Sequence, residues 1–420
     1  MSRARLTGYG IGVAIAGFAL GAILRPFVLP HRAATVAAPA RYDSVTIAEL
    51  AVRRCGKGTW TWKMACYEGD LLPLVPAFGA ARALTVLQFI VERDSDVASS
   101  SHAYAHAIGV SAYDADPDVR ATFPTCREIF QSGCYHGVIQ AYFMSAGTDD
   151  SAAVRGLCAP RTVPNVYGWL RFQCTHGLGH GLTMLMDHHL PEALQLCDYL
   201  ADGWDRDSCY GGAFMENIMD ATQPKDSMLM NHSIAGSRVP PGKFKQIERA
   251  DPAYPCSILG ARYRMSCWVN QVSIIEYLTD YDVKRTSDGC ERAPEGYVRW
   301  CFIGLGTDLN GRAVGNIDST LAMCGRTSVN WREWCYVGVA KNLVEVGARS
   351  DEGIAFCRRV NGRVEKMRCY EAVGEEISSV SDATPDRERM CVASEAEYLE
   401  ACRFGAGILP IRPKTLPPAL

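Results

Sequence analysis

Surplus charge of either sign is missing from this chain: 43 lysines and arginines nearly cancel 46 aspartates and glutamates, leaving a formal net charge of -3. There is no basic block and no lysine- or arginine-rich stripe interleaved with aromatics. A phosphate backbone needs such a footprint, so nucleic acid is not an expected partner. Also absent are a Walker phosphate loop, a GxGxxG turn, a GxSxG elbow and an HExxH helix, which removes the familiar signatures of nucleotide binding, serine hydrolysis and zincin proteolysis. No CxxC or CxxCH occurs, which argues against zinc ribbons, redox pairs and c-type haem.

Cysteine itself is plentiful. The 18 cysteines fall into nine consecutive pairs, Cys55/Cys66, Cys126/Cys134, Cys158/Cys174, Cys197/Cys209, Cys256/Cys267, Cys290/Cys301, Cys324/Cys335, Cys357/Cys369 and Cys391/Cys402. An even count with short regular separations predicts local disulfides and an oxidising compartment. The second and third pairs, 8 and 16 residues apart, are the least regular. Mispairing there would leave Cys134 or Cys174 as a metal ligand. At the N-terminus, Arg3 and Arg5 precede an uncharged stretch from Leu6 to Leu24, and Arg25 and Arg32 follow. Residues 1–32 therefore read as a transmembrane anchor or an export signal, with the small-residue run ending at Ala40 as the alternative cleavage site. The cysteines put the body on the extracytoplasmic side, periplasmic or extracellular.

Residues 33–45 read as a linker and 46–408 as one helical-repeat domain. Residues 409–420, with four prolines, read as a loose tail. The first cysteines of the last five pairs stand at 256, 290, 324, 357 and 391, a period of 33 or 34 residues that suits a helix hairpin. Around the second cysteine a unit K/R-x-x-C-aromatic-x-G recurs, complete in Lys63–Gly69, Arg206–Gly212 and Arg332–Gly338. The expected fold is all-α: disulfide-stapled hairpins forming an open α-solenoid or a closed α/α toroid. In plan this is similar to tetratricopeptide arrays. That family's residue pattern is absent, so the likeness carries no function.

Seven of nine histidines lie between 102 and 189, so function is sought there. His102 and His106 share one helical face by i, i+4 spacing, as do His176 and His180. His136 and His176 each stand two residues after a second cysteine, a slot filled by Val269, Ile303 and Val337 in later units. Repeat symmetry should bring these two imidazoles together, and all five to one cavity. Convergent neutral imidazoles bind zinc, copper or ferrous iron. Glu68 holds the same slot in the first unit and is expected to act with His136 as a general base or acid, with Asp187 and Glu216 as weaker candidates. Met184, Met186 and His188, echoed by Met228, Met230 and His232, raise copper handling as an alternative. The second of these motifs falls in an insertion near 222–255 that would form either a lid over the site or a passive surface loop. The competing reading is a scaffold that offers a concave surface to a protein or peptide, its histidines structural.

Overall fold

A computed structural model describes residues 42–420 except 147–149, 160–167, 223–243, 314 and 418–420. The expected N-terminal anchor and the motif at Met228–His232 lie outside the described residues. Helix accounts for 71% of the structure and there is no strand among the described residues. None of the described helices is long and apolar enough to cross a membrane.

In chain order the helices are α1 (Ser44–Cys55), α2 (Trp60–Leu71), α3 (Leu74–Phe78), α4 (Ala80–Val91), α5 (Ser95–Ser99), α6 (Ser101–Ala115), α7 (Val119–Thr122), α8 (Gly133–Ala146), α9 (Ser151–Leu157), α10 (Gly168–Leu185) and α11 (Leu190–Cys197). They continue as α12 (Gly203–Thr222), α13 (Arg264–Leu278), α14 (Val283–Cys290), α15 (Val298–Arg312), α16 (Ile317–Cys324), α17 (Arg332–Gly347), α18 (Asp351–Arg359), α19 (Arg363–Val380), α20 (Thr384–Cys391) and α21 (Leu399–Gly405). The body starts two residues before the expected boundary, because Asp43 caps α1 by accepting from the Thr46 amide.

All nine expected disulfides are present, and no free cysteine remains among the described residues. Cys134 and Cys174 are thus bridged and offer no thiolate to a metal. In the later units a short outer helix ends at the first cysteine, and the second lies in the first turns of a long inner helix. The Cα atoms of each pair stand 5.5–5.9 Å apart, inside disulfide reach.

The recurrent basic residue has a local task. Arg206 donates to the Leu200 and Ala201 carbonyls, Arg332 to that of Gly325 and Lys366 to that of Arg358. Each satisfies carbonyls left open where the preceding outer helix ends, where positive charge also suits the helix dipole. The aromatic after the cysteine is buried, and the hydroxyls of Tyr210 and Tyr370 donate to Asp198 and Glu395.

The inner helices α6, α8, α10, α12, α13, α15, α17, α19 and α21 form a row in which each packs on the next. The recurrent glycine makes this packing unusually close. A Cβ on Gly212 would stand 1.9 Å from the His176 carbonyl oxygen, and one on Gly137 would stand 2.1 Å from that of His106. The row also turns back on itself. α10 touches α19, and the Trp169 indole donates to the Glu345 carbonyl of α17 at 2.7 Å across 176 residues of sequence. The C-terminal segment is docked rather than loose: Arg412 makes a two-pronged pair with Glu371 at 2.6 and 2.9 Å, and Leu416 is buried.

Candidate metal centre

The histidines arise from a departure in the repeat. Between Cys66 and Cys126 the chain inserts α3–α6, and α6 carries no cysteine. Its register is fixed by glycine contacts. Gly137 packs on the His106 carbonyl as Gly212 packs on that of His176. His106, His136 and His176 therefore occupy one equivalent slot on three consecutive inner helices. His102 lies one turn before that slot on α6, and His180 one turn after it on α10.

The five rings converge. Centroids are 4.7 Å apart for His102 and His106, 5.3 Å for His106 and His136, 4.8 Å for His136 and His176, and 5.2 Å for His176 and His180. His106 and His180, on helices separated by α8, are 4.9 Å apart, so the row is sharply curved here. Two overlapping groups result, His102/His106/His136 and His136/His176/His180, each with ligating nitrogens within 4.8 Å of one another. His106, His136, His176 and His180 are buried, and His102 is half-buried at the edge.

Each imidazole is held at one nitrogen. His102 Nδ1 donates to the Phe130 carbonyl at 2.9 Å, His106 Nδ1 bonds Gln140 Oε1 at 3.0 Å, and His136 Nε2 bonds Gln173 Oε1 at 2.8 Å. His180 Nδ1 meets Glu216 Oε2 at 2.9 Å, and His176 bonds the Ser208 backbone. With one ring nitrogen protonated toward these acceptors, the other carries a lone pair. His102 Nε2 and His106 Nε2 are 3.1 Å apart, while His136 Nδ1 and His180 Nε2 are buried with no hydrogen-bond partner. Buried polar atoms are seldom left so, and an acceptor fixing the far side of a ring is the usual support of a ligating histidine.

Electrostatics agree. Burial pushes His102 down to about 4 and His180 to about 3, and holds His106, His136 and His176 well below the ordinary imidazole range. All five are neutral at pH 7, the form that coordinates metal. Backbone strain marks the same place. Phe130, Gln131 and Ser132 take three consecutive positive φ values of 55°, 51° and 60°, and the first supplies the carbonyl that orients His102.

Glu68 joins neither group. The inserted helices put α6 between α2 and α8, and the Glu68 carboxylate bears instead on the Tyr104 phenol, whose pKa it helps to raise. The carboxylate that reaches the cluster is Glu216, buried on α12 and pushed up to about 7 by that burial. Asp187 sits in the left-handed turn that ends α10 and is in neither group. Gln140 and Gln173 escaped the sequence reading. The available signal was the i, i+4 spacing of His136 and Gln140. The limb returning from the insertion is tied to α12 by Gln246, which donates to Asp220 at 2.7 Å.

The cluster can hold a metal ion, and the nine bridges fit an oxidising, extracytoplasmic setting. No family model matches the chain, and neither curated proteins nor solved structures give a significant match.

Proposed function

We propose that this chain is an exported, membrane-anchored helical-repeat protein whose histidine cluster binds a transition metal, zinc, copper or iron, as a metal-handling or metalloenzyme centre. The observation that carries the reading is the pairing of five held imidazoles with two buried, unpartnered nitrogens, His136 Nδ1 and His180 Nε2. Scattered structural histidines would each find a separate partner in a separate interface. Here the partners hold one edge of each ring, and within each group of three the ligating nitrogens lie within 4.8 Å of one another.

His136, His176 and His180 form the fully buried ligand set; His102, His106 and His136 form a second, overlapping set with the half-buried His102 at its edge. A bound ion would supply Lewis acidity or one-electron chemistry, according to its identity. Glu216 would fix the His180 ring and place negative charge behind it.

Metal analysis of the full-length oxidised protein beside its His180→Ala and Cys335→Ala variants tests this. The expected result is about one equivalent of a transition metal per chain, lost in His180→Ala with the fold kept. Cys335→Ala should retain the metal while losing about 3 kcal/mol of stability through its 11-residue loop. A wild-type protein that takes up no zinc, copper or iron on reconstitution would return the histidines to a structural role, with the repeats as a scaffold.

A further inference from the structure

The methionines of the structure fall into two sets. Met64, Met186, Met323, Met367 and Met390 belong to the apolar core or pack on it. Met144, Met215 and Met219 do neither; with the buried Met184 they lie on the three consecutive helices α8, α10 and α12. Met265, the other described exception, stands at the opposite, N-terminal end of its own helix.

Their positions follow from helix periodicity and register. Met144 follows His136 and Gln140 at four-residue intervals on α8, and Met184 follows His176 and His180 in the same way on α10. Residues so spaced share a face. Gly177 packs on His136 Cα and Gly181 on Gln140 Cα, so α8 and α10 run parallel and in step, with Met184 level with Met144. Gly179 meets the Cys209 carbonyl and the Ala213 amide, which sets Met184 between the levels of Met215 and Met219 on α12. One amide spans the two layers: Gln140 Oε1 accepts from His106 Nδ1 while its Nε2 points at Met144 Sδ, 3.9 Å away. Met184 is buried, and the other three are half-buried.

We infer that these four methionines form a thioether layer one helical turn from the histidines, and that the ion it selects is Cu(I). Thioether sulfur is a soft, uncharged donor that binds Cu(I) and offers little to Zn(II) or Fe(II), whereas imidazole serves all three. Methionine used for packing belongs in the apolar core, where the other set is found; Met184 is buried too, but Met144, Met215 and Met219 lie outside that core. Met184 follows His180 by one helical turn, so a thioether stands next to the imidazoles on the same face of α10. This assignment rests on the histidine cluster being a metal site and names the ion it handles.

The test compares the full-length oxidised protein with its Met144→Leu/Met184→Leu/Met215→Leu/Met219→Leu variant, in which shape is nearly conserved. Acetonitrile-stabilised Cu(I) is titrated anaerobically, without a thiol reductant, against a colorimetric Cu(I) chelator. Zn(II) is titrated separately. The expected result is a Cu(I) affinity at least tenfold weaker in the variant, a sulfur shell in the copper X-ray absorption spectrum of the wild type that the variant loses, and equal Zn(II) binding by both. Equal Cu(I) affinity in both proteins, or a wild-type copper shell of nitrogen alone, overturns the inference while Zn(II) uptake that depends on His180 leaves the metal centre standing. A wild type that binds neither ion overturns both.

Discussion

Two adjacent glycines in α12 should respond to the same substitution with opposite signs. A Cβ on Gly212 would stand 1.9 Å from the His176 carbonyl oxygen and 2.9 Å from its carbon, both backbone atoms that no rotamer change can move. Restoring an ordinary contact of about 3.4 Å requires α10 and α12 to separate by roughly 1.5 Å, against a close-packed interface. Overpacking costs typically about 1–3 kcal/mol, and a backbone clash falls at the top of that range, so Gly212→Ala should lose about 3 kcal/mol. A Cβ on Gly211 meets only Cε1 and Nδ1 of the His176 ring, each at 3.5 Å, an ordinary contact. Gly211→Ala should therefore gain about 0.5–1 kcal/mol from helix propensity. Urea denaturation of both variants, with disulfides intact and metal removed, gives the comparison. The same separation lengthens the reach from His180 to Glu216, so Gly212→Ala should also weaken metal retention. Equal midpoints for the two variants would refute the close-packing account of the repeat, and with it the register that aligns the histidines.

Two further predictions concern the cluster. A depressed imidazole binds its proton in the unfolded chain, near pH 6.5, before it does so in the folded one. Its stability contribution is therefore complete above pH 6.5 and lost as pH falls toward about 4 for His102 and about 3 for His180, at up to about 1.4 kcal/mol per pH unit for each ring. Glu216, raised to about 7, acts in the opposite sense by binding its proton in the folded state first, so it offsets one imidazole between pH 7 and about 4.5. The metal-free protein should lose stability steeply below pH 6.5, and His180→Gln should flatten the slope; identical pH profiles would contradict the burial of a neutral ring there. Glu216→Gln keeps an acceptor for His180 Nδ1 but removes the charge behind it. Metal affinity by chelator competition should fall about 10- to 100-fold with the helical circular dichroism unchanged, and an unaltered affinity would remove Glu216 from the site.

The stapled hairpin was legible because its information is short-range. Each bridge joins residues at most 16 apart, and the helices around it announce themselves by period, by glycine and by the basic residue that closes the outer helix. His136 beside His176 followed from the same repeat logic, and the rings stand 4.8 Å apart. Glu68 shows where that logic stops. It holds the right slot by counting from the cysteine, but the cysteine-free helix α6 intervenes, and no cysteine-based count could place it. The carboxylate that meets the cluster is Glu216, whose offset from its cysteine has no histidine counterpart and whose approach to His180 depends on how closely α10 meets α12.

By itself the sequence determined the nine cysteine pairs, the oxidising setting they imply, the all-helical hairpin plan and the choice of five histidines, since all of these rest on spacing along the chain. Only the tertiary structure decided that the row turns back until α10 meets α19, that a cysteine-free helix brings His102 and His106 to the other three, that Gln140, Gln173 and Glu216 hold the rings, and that the C-terminal tail is tied down by Arg412. The physical reason is that curvature is the sum of small rotations at each helix contact. Those are set by how far a glycine lets one backbone approach the carbonyl of the next, a distance in space that the spacing of residues along the chain does not record.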